Sequence, residues 1–319
     1  MVSRARSPFF RNYVGILGAI VVISIFLSIA SPYFLKINNF VNIGNQIALN
    51  LIIAVGMTLV ITIGGIDLSV GANVALTGIV VALYFYAVGG STIAVIGGLL
   101  VGLGVGIGIG TINGLIITRL NVPPFIATLG GMVAFRGLAL VLSNGRVLYG
   151  LPKSFESVVG GFIASAVPKS IIVASIVAAI AVFLLNKTTL GRHVKAIGGN
   201  EQCVKVCGIN IHRLKMITYI IGGAMASISG LALTSMMNAA EPNAGNFYEL
   251  EAIAVVVMGG TNLMGGKGTV VGTILGALLL GLVRNGLNIM KVPPNFHQLI
   301  VGLIILGAVM AGSTRDRSA

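Results

Sequence analysis

LLNKTTLGRHVKAIGGNEQCVKVCGINIHRLKMI, residues 184–217, is the most basic internal passage of a chain that is otherwise a succession of apolar runs. It carries Lys187, Arg192, Lys195, Lys205, Arg213 and Lys215 between two segments greasy enough to cross a bilayer. An aqueous loop of about thirty residues between spans is a place where a soluble partner can grip a membrane protein.

Composition outside that loop decides the solvent. Of 319 residues, 56% are hydrophobic and 8% charged, and the mean hydropathy is +1.04. Such a chain has too little polar surface to cover a water-soluble globule. A net charge of +13 would point a soluble protein toward nucleic acid. Here Lys and Arg lie in the gaps between apolar runs, without interleaved aromatics, so no nucleic-acid partner is expected and the charges set orientation in membrane lipid. Cys203 and Cys207 are the only cysteines. They lack the paired spacing of a metal site and read as reduced thiols, with no metal expected.

Apolar runs of about twenty residues cross the hydrocarbon core as helices. They fall at 13–31, 46–63, 71–88, 92–118, 124–142, 169–186, 215–237, 249–258, 269–283 and 297–310. The first follows Arg4, Arg6 and Arg11 as a signal peptide would. Its apolar stretch is longer than a signal core, so it reads as an uncleaved span. The expectation is an all-α polytopic membrane protein with about ten transmembrane helices, a single transmembrane domain over 1–319 and one large loop at about 187–214. Arg119, Lys187, Arg192, Lys195, Arg213 and Lys267 share a face with the basic N-terminus. By the positive-inside rule that face is cytoplasmic, and so are both termini.

Glycine is the second anomaly, at 45 residues. Gly98, Gly102, Gly106, Gly110 and Gly114 recur every fourth position, a ridge that lets another helix approach closely. GGIDLSVG (64–71) and GGTNLMGG (259–266) share Gly-Gly-x-x-Leu-x-x-Gly. They read either as an internal duplication of interrupted helices or as two tight glycine turns, both near the cytoplasmic face. Asp67, the only acid between Met1 and Glu156, is expected to cap the helix that follows rather than to relay protons, because relays need a chain of acids or histidines.

Enzyme chemistry is not in view. His193, His212 and His297 are scattered, and no nucleophile–base set can be assembled around them. GGKGT at 265–269 fails as a phosphate loop, since a Walker A would need Gly at 261 and Ser or Thr at 268, where Thr261 and Gly268 stand. Neutral hydrogen-bonding residues remain in or beside the spans: Gln46, Asn50, Asn73, Asn113, Thr128 and Asn238. They suit a path for a polar uncharged solute such as a sugar, or, taken one by one, helix-to-helix hydrogen bonds.

GMTLVITIGGIDLSVG (56–71), NGLIITRLNVPPFIATLGGM (113–132), LGRHVKAIGGNEQCVKVCGI (190–209) and YELEAIAVVVMGGTNLMGGKGT (248–269) resemble the permease subunits of bacterial ribose-type sugar ABC importers. The resemblance implies a fold like that of the vitamin B12-type importer permeases. It implies a homodimer in the bacterial inner membrane that receives a monosaccharide from a periplasmic or lipid-anchored binding protein. It also implies that no cofactor sits in this chain, ATP and Mg being bound by a separate cytoplasmic ABC ATPase.

The coupling segment that the ATPase grips would be Gly198, Gly199, Asn200, Glu201, Gln202, Cys203, Lys205 and Gly208. Gln202 and Cys203 depart from the two alanines common in the family. One short helix is expected there, with Asn200 as cap, Glu201 in the first turn, Lys205 in the last, and Gly199 and Gly208 left-handed at its ends. Docking of the binding protein would fall on the outer loop 238–248 and its neighbour, with Glu241, Asn243 and Glu251 as candidates. Asn246 with Glu249 reads as a capping-box variant that makes Glu249 and Glu251 structural anchors as readily as docking charges. The rival reading, an ion-coupled secondary transporter, would need more intramembrane acids than Asp67.

Overall fold

A bilayer offers backbone N–H and C=O groups no water, so apolar runs that cross it must satisfy those groups internally as helices. The computed structural model, which describes residues 8–163, 167–293, 296–297, 299–304 and 306–307, is accordingly built from helices. They are α1 (Pro8–Ala30), α2 (Ile37–Thr62), α3 (Val70–Val88), α4 (Thr92–Arg119), α5 (Pro124–Ser143), α6 (Lys153–Val159), α7 (Lys169–Lys187), α8 (Thr189–Gly199), α9 (Glu201–Val206), α10 (Ile211–Met237), α11 (Tyr248–Met258) and α12 (Val270–Ile289). Two antiparallel bridges complete the described chain: β1 (Leu148–Tyr149) pairs with β4 (Ala239–Ala240), and β2 (Phe162–Ile163) with β3 (Val167–Pro168).

Eight helices among the described residues are long and apolar enough to cross a membrane, against the ten runs read from the sequence. The eighth run corresponds to α11, whose 11 residues reach about 16 Å, half of a hydrocarbon core. The stretch before it holds Pro242, Asn243 and Gly245 and is not helical. The tenth run, 297–310, lies partly outside the described residues and is helical where it is described. Arg4, Arg6, Arg315 and Arg317 also lie outside them.

Helix α2 is the axis of the bundle. It begins earlier than its apolar run, because its first turns carry Asn39 and Asn45, whose polarity conceals a helix. Both amides are used between helices: Asn39 and Asn285 exchange hydrogen bonds at 3.1 and 2.7 Å, and Asn45 accepts from Ser170 at 2.6 Å. From Ala48 to Thr62 every residue of α2 is buried.

The glycine ridge of α4 lies against α10 and α3. A Cβ on Gly106 would strike the Gly223 carbonyl and Ser227, and one on Gly98 the Phe85 ring. Gly104 and Gly108, off the ridge, have nothing within 4 Å. Alanine at Gly110 would place its Cβ 2.8 Å from the Ile220 Cα, an overpacking expected to cost about 1–3 kcal/mol. Gly110→Ala should therefore lower the monodisperse fraction and melting temperature of the detergent-solubilised protein, and Gly108→Ala should not. Equal behaviour of the two would contradict this packing.

Candidate functional site

Two helix ends meet at one end of the bundle. Helix α2 closes with Gly64 left-handed at φ 85°, its Gly65 amide bonding Val60 O at 2.8 Å. Helix α11 closes the same way, with Gly260 at φ 86° and the Thr261 amide on Val256 O at 3.2 Å. Both are Schellman-type ends, where only glycine holds a left-handed residue without strain. The structural equivalents are thus Gly64 and Gly260, one residue out of step with the shared sequence pattern.

The two turns then join, the Gly266 amide donating to Thr62 O at 2.9 Å. A Cβ on Gly198 would collide with both of those groups. Helix α8, with Val194 and Ile197 in the main core, is docked there backbone to backbone.

The coupling segment expected as one helix is two. Helix α8 ends at Gly199, which is helical rather than left-handed. Helix α9 follows, capped by Asn200, whose side chain accepts from the Cys203 amide at 3.1 Å, and ended by left-handed Gly208 at φ 74°. Glu201 pairs with Lys215 of α10 at 2.8 Å. Gln202, Cys203 and Lys205 are exposed, and Val206 is 88% exposed. The segment therefore offers a short capped helix with an apolar tip, anchored on one side to both interrupted helices.

A second polar cluster lies deeper. Asp67 does not cap α3: its Oδ1 accepts from the Ser69 amide at 2.9 Å and the Ser69 hydroxyl at 2.6 Å, ahead of the helix. Asn113 donates to Ser69 at 2.8 Å, Thr128 to Ile66 O at 3.2 Å and Asn73 to Gly223 O at 3.0 Å. These three candidate path residues hold the α2–α3 break in place. Asn238, left-handed at the end of α10, donates to Glu156 at 3.2 Å.

Gln46 and Asn50 are brought to a cavity of about 450 Å³ whose lining also includes Asn45, Leu49, Met236, Tyr248, Arg284, Asn288 and His297. It lies toward the other end of the bundle, Asn50 being about 18 Å along α2 from Thr62. Of the proposed docking residues, Asn243 is exposed and Glu241 half-buried. Glu251 is buried behind the cavity wall, on Arg284 and on Asn50. The capping box is absent: Phe247, left-handed, stands at the cap position of α11 without a side-chain bond. Arg284 was not singled out from sequence, although a cation and an acid each sitting in an apolar run is the signal that finds such a pair. Among the described residues no cluster of three His, Cys, Asp or Glu could hold a metal.

Residues 39–309 match the family described as branched-chain amino acid transport system / permease component. The chain belongs to this permease family. The permease is 44% identical over 293 residues to the ribose import permease protein RbsC of Bacillus subtilis, covering 91% of this chain and 89% of that one. It is 40% identical over 302 residues to RbsC of Escherichia coli K12, covering 93% and 92%. With the D-allose transport system permease protein AlsC of Escherichia coli K12 it shares 38% over 292 residues, covering 91% and 87%. No solved structure matches it.

The backbone contact at Gly198 makes a local prediction. Gly198→Ala should undock α8 and open the loop to trypsin at Arg192, Lys195 and Lys205, whereas Gly199→Ala, with open space at its Cβ, should leave cleavage as in the wild type. Equal protection of both variants would contradict the docking.

Proposed function

We propose that this permease is the membrane subunit of an ABC importer that carries a monosaccharide of the ribose type across the bacterial inner membrane. The observation that supports it best is the cavity. Its polar lining comes mainly from the amides of Asn45, Gln46, Asn50 and Asn288, and its full charge, Arg284, is paired with Glu251. Amides donate and accept in equal measure, as sugar hydroxyls do. A zwitterionic amino acid brings an ammonium and a carboxylate that would need bare counter-charges, and Arg284 is already engaged. The names of the ribose and allose relatives point the same way.

In this reading the chain performs no catalysis. A binding protein delivers the sugar at the cavity end, with Glu241 and Asn243 beside the delivery route. A separate ATPase, carrying ATP and Mg, grips α9 at the other end. Because α9 is capped, pinned by Glu201–Lys215 and joined through α8 to the turns that follow α2 and α11, a push on it would reach both helices. Two copies form the pore, with ten crossings each, a fold of the vitamin B12-type importer class and cytoplasmic termini.

Two measurements test the proposal. In a background lacking Cys203 and Cys207, a cysteine at Lys153 should be labelled by an impermeant thiol reagent in intact cells and one at Arg213 should not; the reverse overturns the orientation. Labelled D-ribose or D-allose should accumulate only when a cognate ABC ATPase and sugar-binding protein are produced with the permease. Uptake in a strain without any candidate ATPase would overturn the ABC reading.

A further inference from the structure

The proposed function rests on a cavity for an uncharged sugar, and the residues behind its wall indicate what enforces that choice. Helices α2, α11 and α12 converge on one carboxylate. Glu251 Oε1 accepts from Arg284 Nη2, and Oε2 accepts from Asn50 Nδ2 at 2.6 Å. The Glu251 side chain is 8% exposed and that of Arg284 29%, so the anion sits behind the wall and the cation on it.

Two consequences follow from chemistry. A side-chain amide that donates its NH2 group to a carboxylate is fixed in orientation, which turns the Asn50 carbonyl oxygen away from Glu251. Among the described residues that oxygen has no hydrogen-bond partner within the protein, and Asn50 lines the cavity. A guanidinium on a low-dielectric wall would by itself be an anion site, and a paired one is not. A carboxylate buried without its cation would in turn be costly, so each group requires the other.

We propose that Glu251 is a positioning residue for cargo selection. It sets the Asn50 carbonyl to receive a sugar hydroxyl, and it cancels the Arg284 charge so that the cavity admits neutral polyols and rejects anions. Glu249, two residues earlier, has no such place: it is buried with one carboxylate oxygen unpartnered among the described residues, against Gly71 of α3, away from the cavity lining.

The test uses the full permease with its ATPase in nanodiscs, saturation-transfer NMR with D-ribose and D-ribonate as probes, and ribose uptake in cells with the binding protein present. Glu251→Gln should leave membrane abundance and ATPase co-purification intact, lower ribose uptake about tenfold, and create a ribonate signal that the wild type lacks. The double variant Glu251→Gln/Arg284→Gln restores neutrality while an amide still faces Asn50, so uptake should return to within about threefold and the ribonate signal should vanish. Glu251→Asp keeps the charge but shortens the reach; it should lower ribose uptake without any ribonate signal, and it serves if the glutamine variant does not accumulate.

Loss of uptake in Glu251→Gln with no ribonate signal would reduce Glu251 to a structural anchor and overturn the proposal, as would a ribonate signal that persists in the double variant. A wild type that neither takes up nor contacts a neutral sugar would bring down the sugar reading itself, and this inference with it.

Discussion

Wherever a helix ends in a buried position, its last carbonyls and the next segment's amides lose the water that would partner them and must be paired within the protein. This chain stops two helices that way, α2 at Thr62 and α11 at Met258, and resolves the problem by joining the turns. The Gly266 amide takes the Thr62 carbonyl at 2.9 Å. An unpaired buried group of this kind costs about 1–3 kcal/mol, so the bond and the close approach it needs are not optional. Gly198 of α8 completes the contact, and with Gly265 and Gly266 it leaves room for three backbones in one place.

The rest of the arrangement follows from that junction. With α8 held on the turns, α9 is presented beyond it with its apolar tip outward. Since α11 is short, its first turn lies well inside the bundle, where Tyr248 reaches the cavity lining and Glu251 reaches Asn50 and Arg284. One half-length helix thus has its polar end at the cavity, while the turn that follows its glycine end, at Gly265 and Gly266, carries α8.

Much of this was legible in the sequence, for reasons that differ by residue. The ridge from Gly98 to Gly114 was readable because a period of four is a helix face whatever the neighbours are. The cap at Asn200 and the stop at Gly208 were readable because both are local devices. Helix α2 was read too short, since Asn39 and Asn45 look like loop until the partners Asn285 and Ser170, far away in sequence, are seen. Helix α8 was missed because its amphipathic face is brief and its docking depends on a contact with Thr62 and Gly266 that no local pattern encodes. Asp67 was read as a cap, but the chain turns one step earlier and the carboxylate serves Ser69 instead. The Glu251–Arg284 pair spans 33 positions; only the presence of two opposite charges in apolar runs hinted that they would meet.

The junction itself is the claim on which the account depends most, and amide exchange reads it directly. In deuterated buffer, with the full permease in nanodiscs, the Gly266 amide should exchange at least about a hundredfold slower than that of the exposed Gln202, because an amide bonded to Thr62 O and covered by α8 opens only with its surroundings. Exchange of Gly266 as fast as Gln202 would mean that the two turns are not joined, and would contradict the docking of α8 on them.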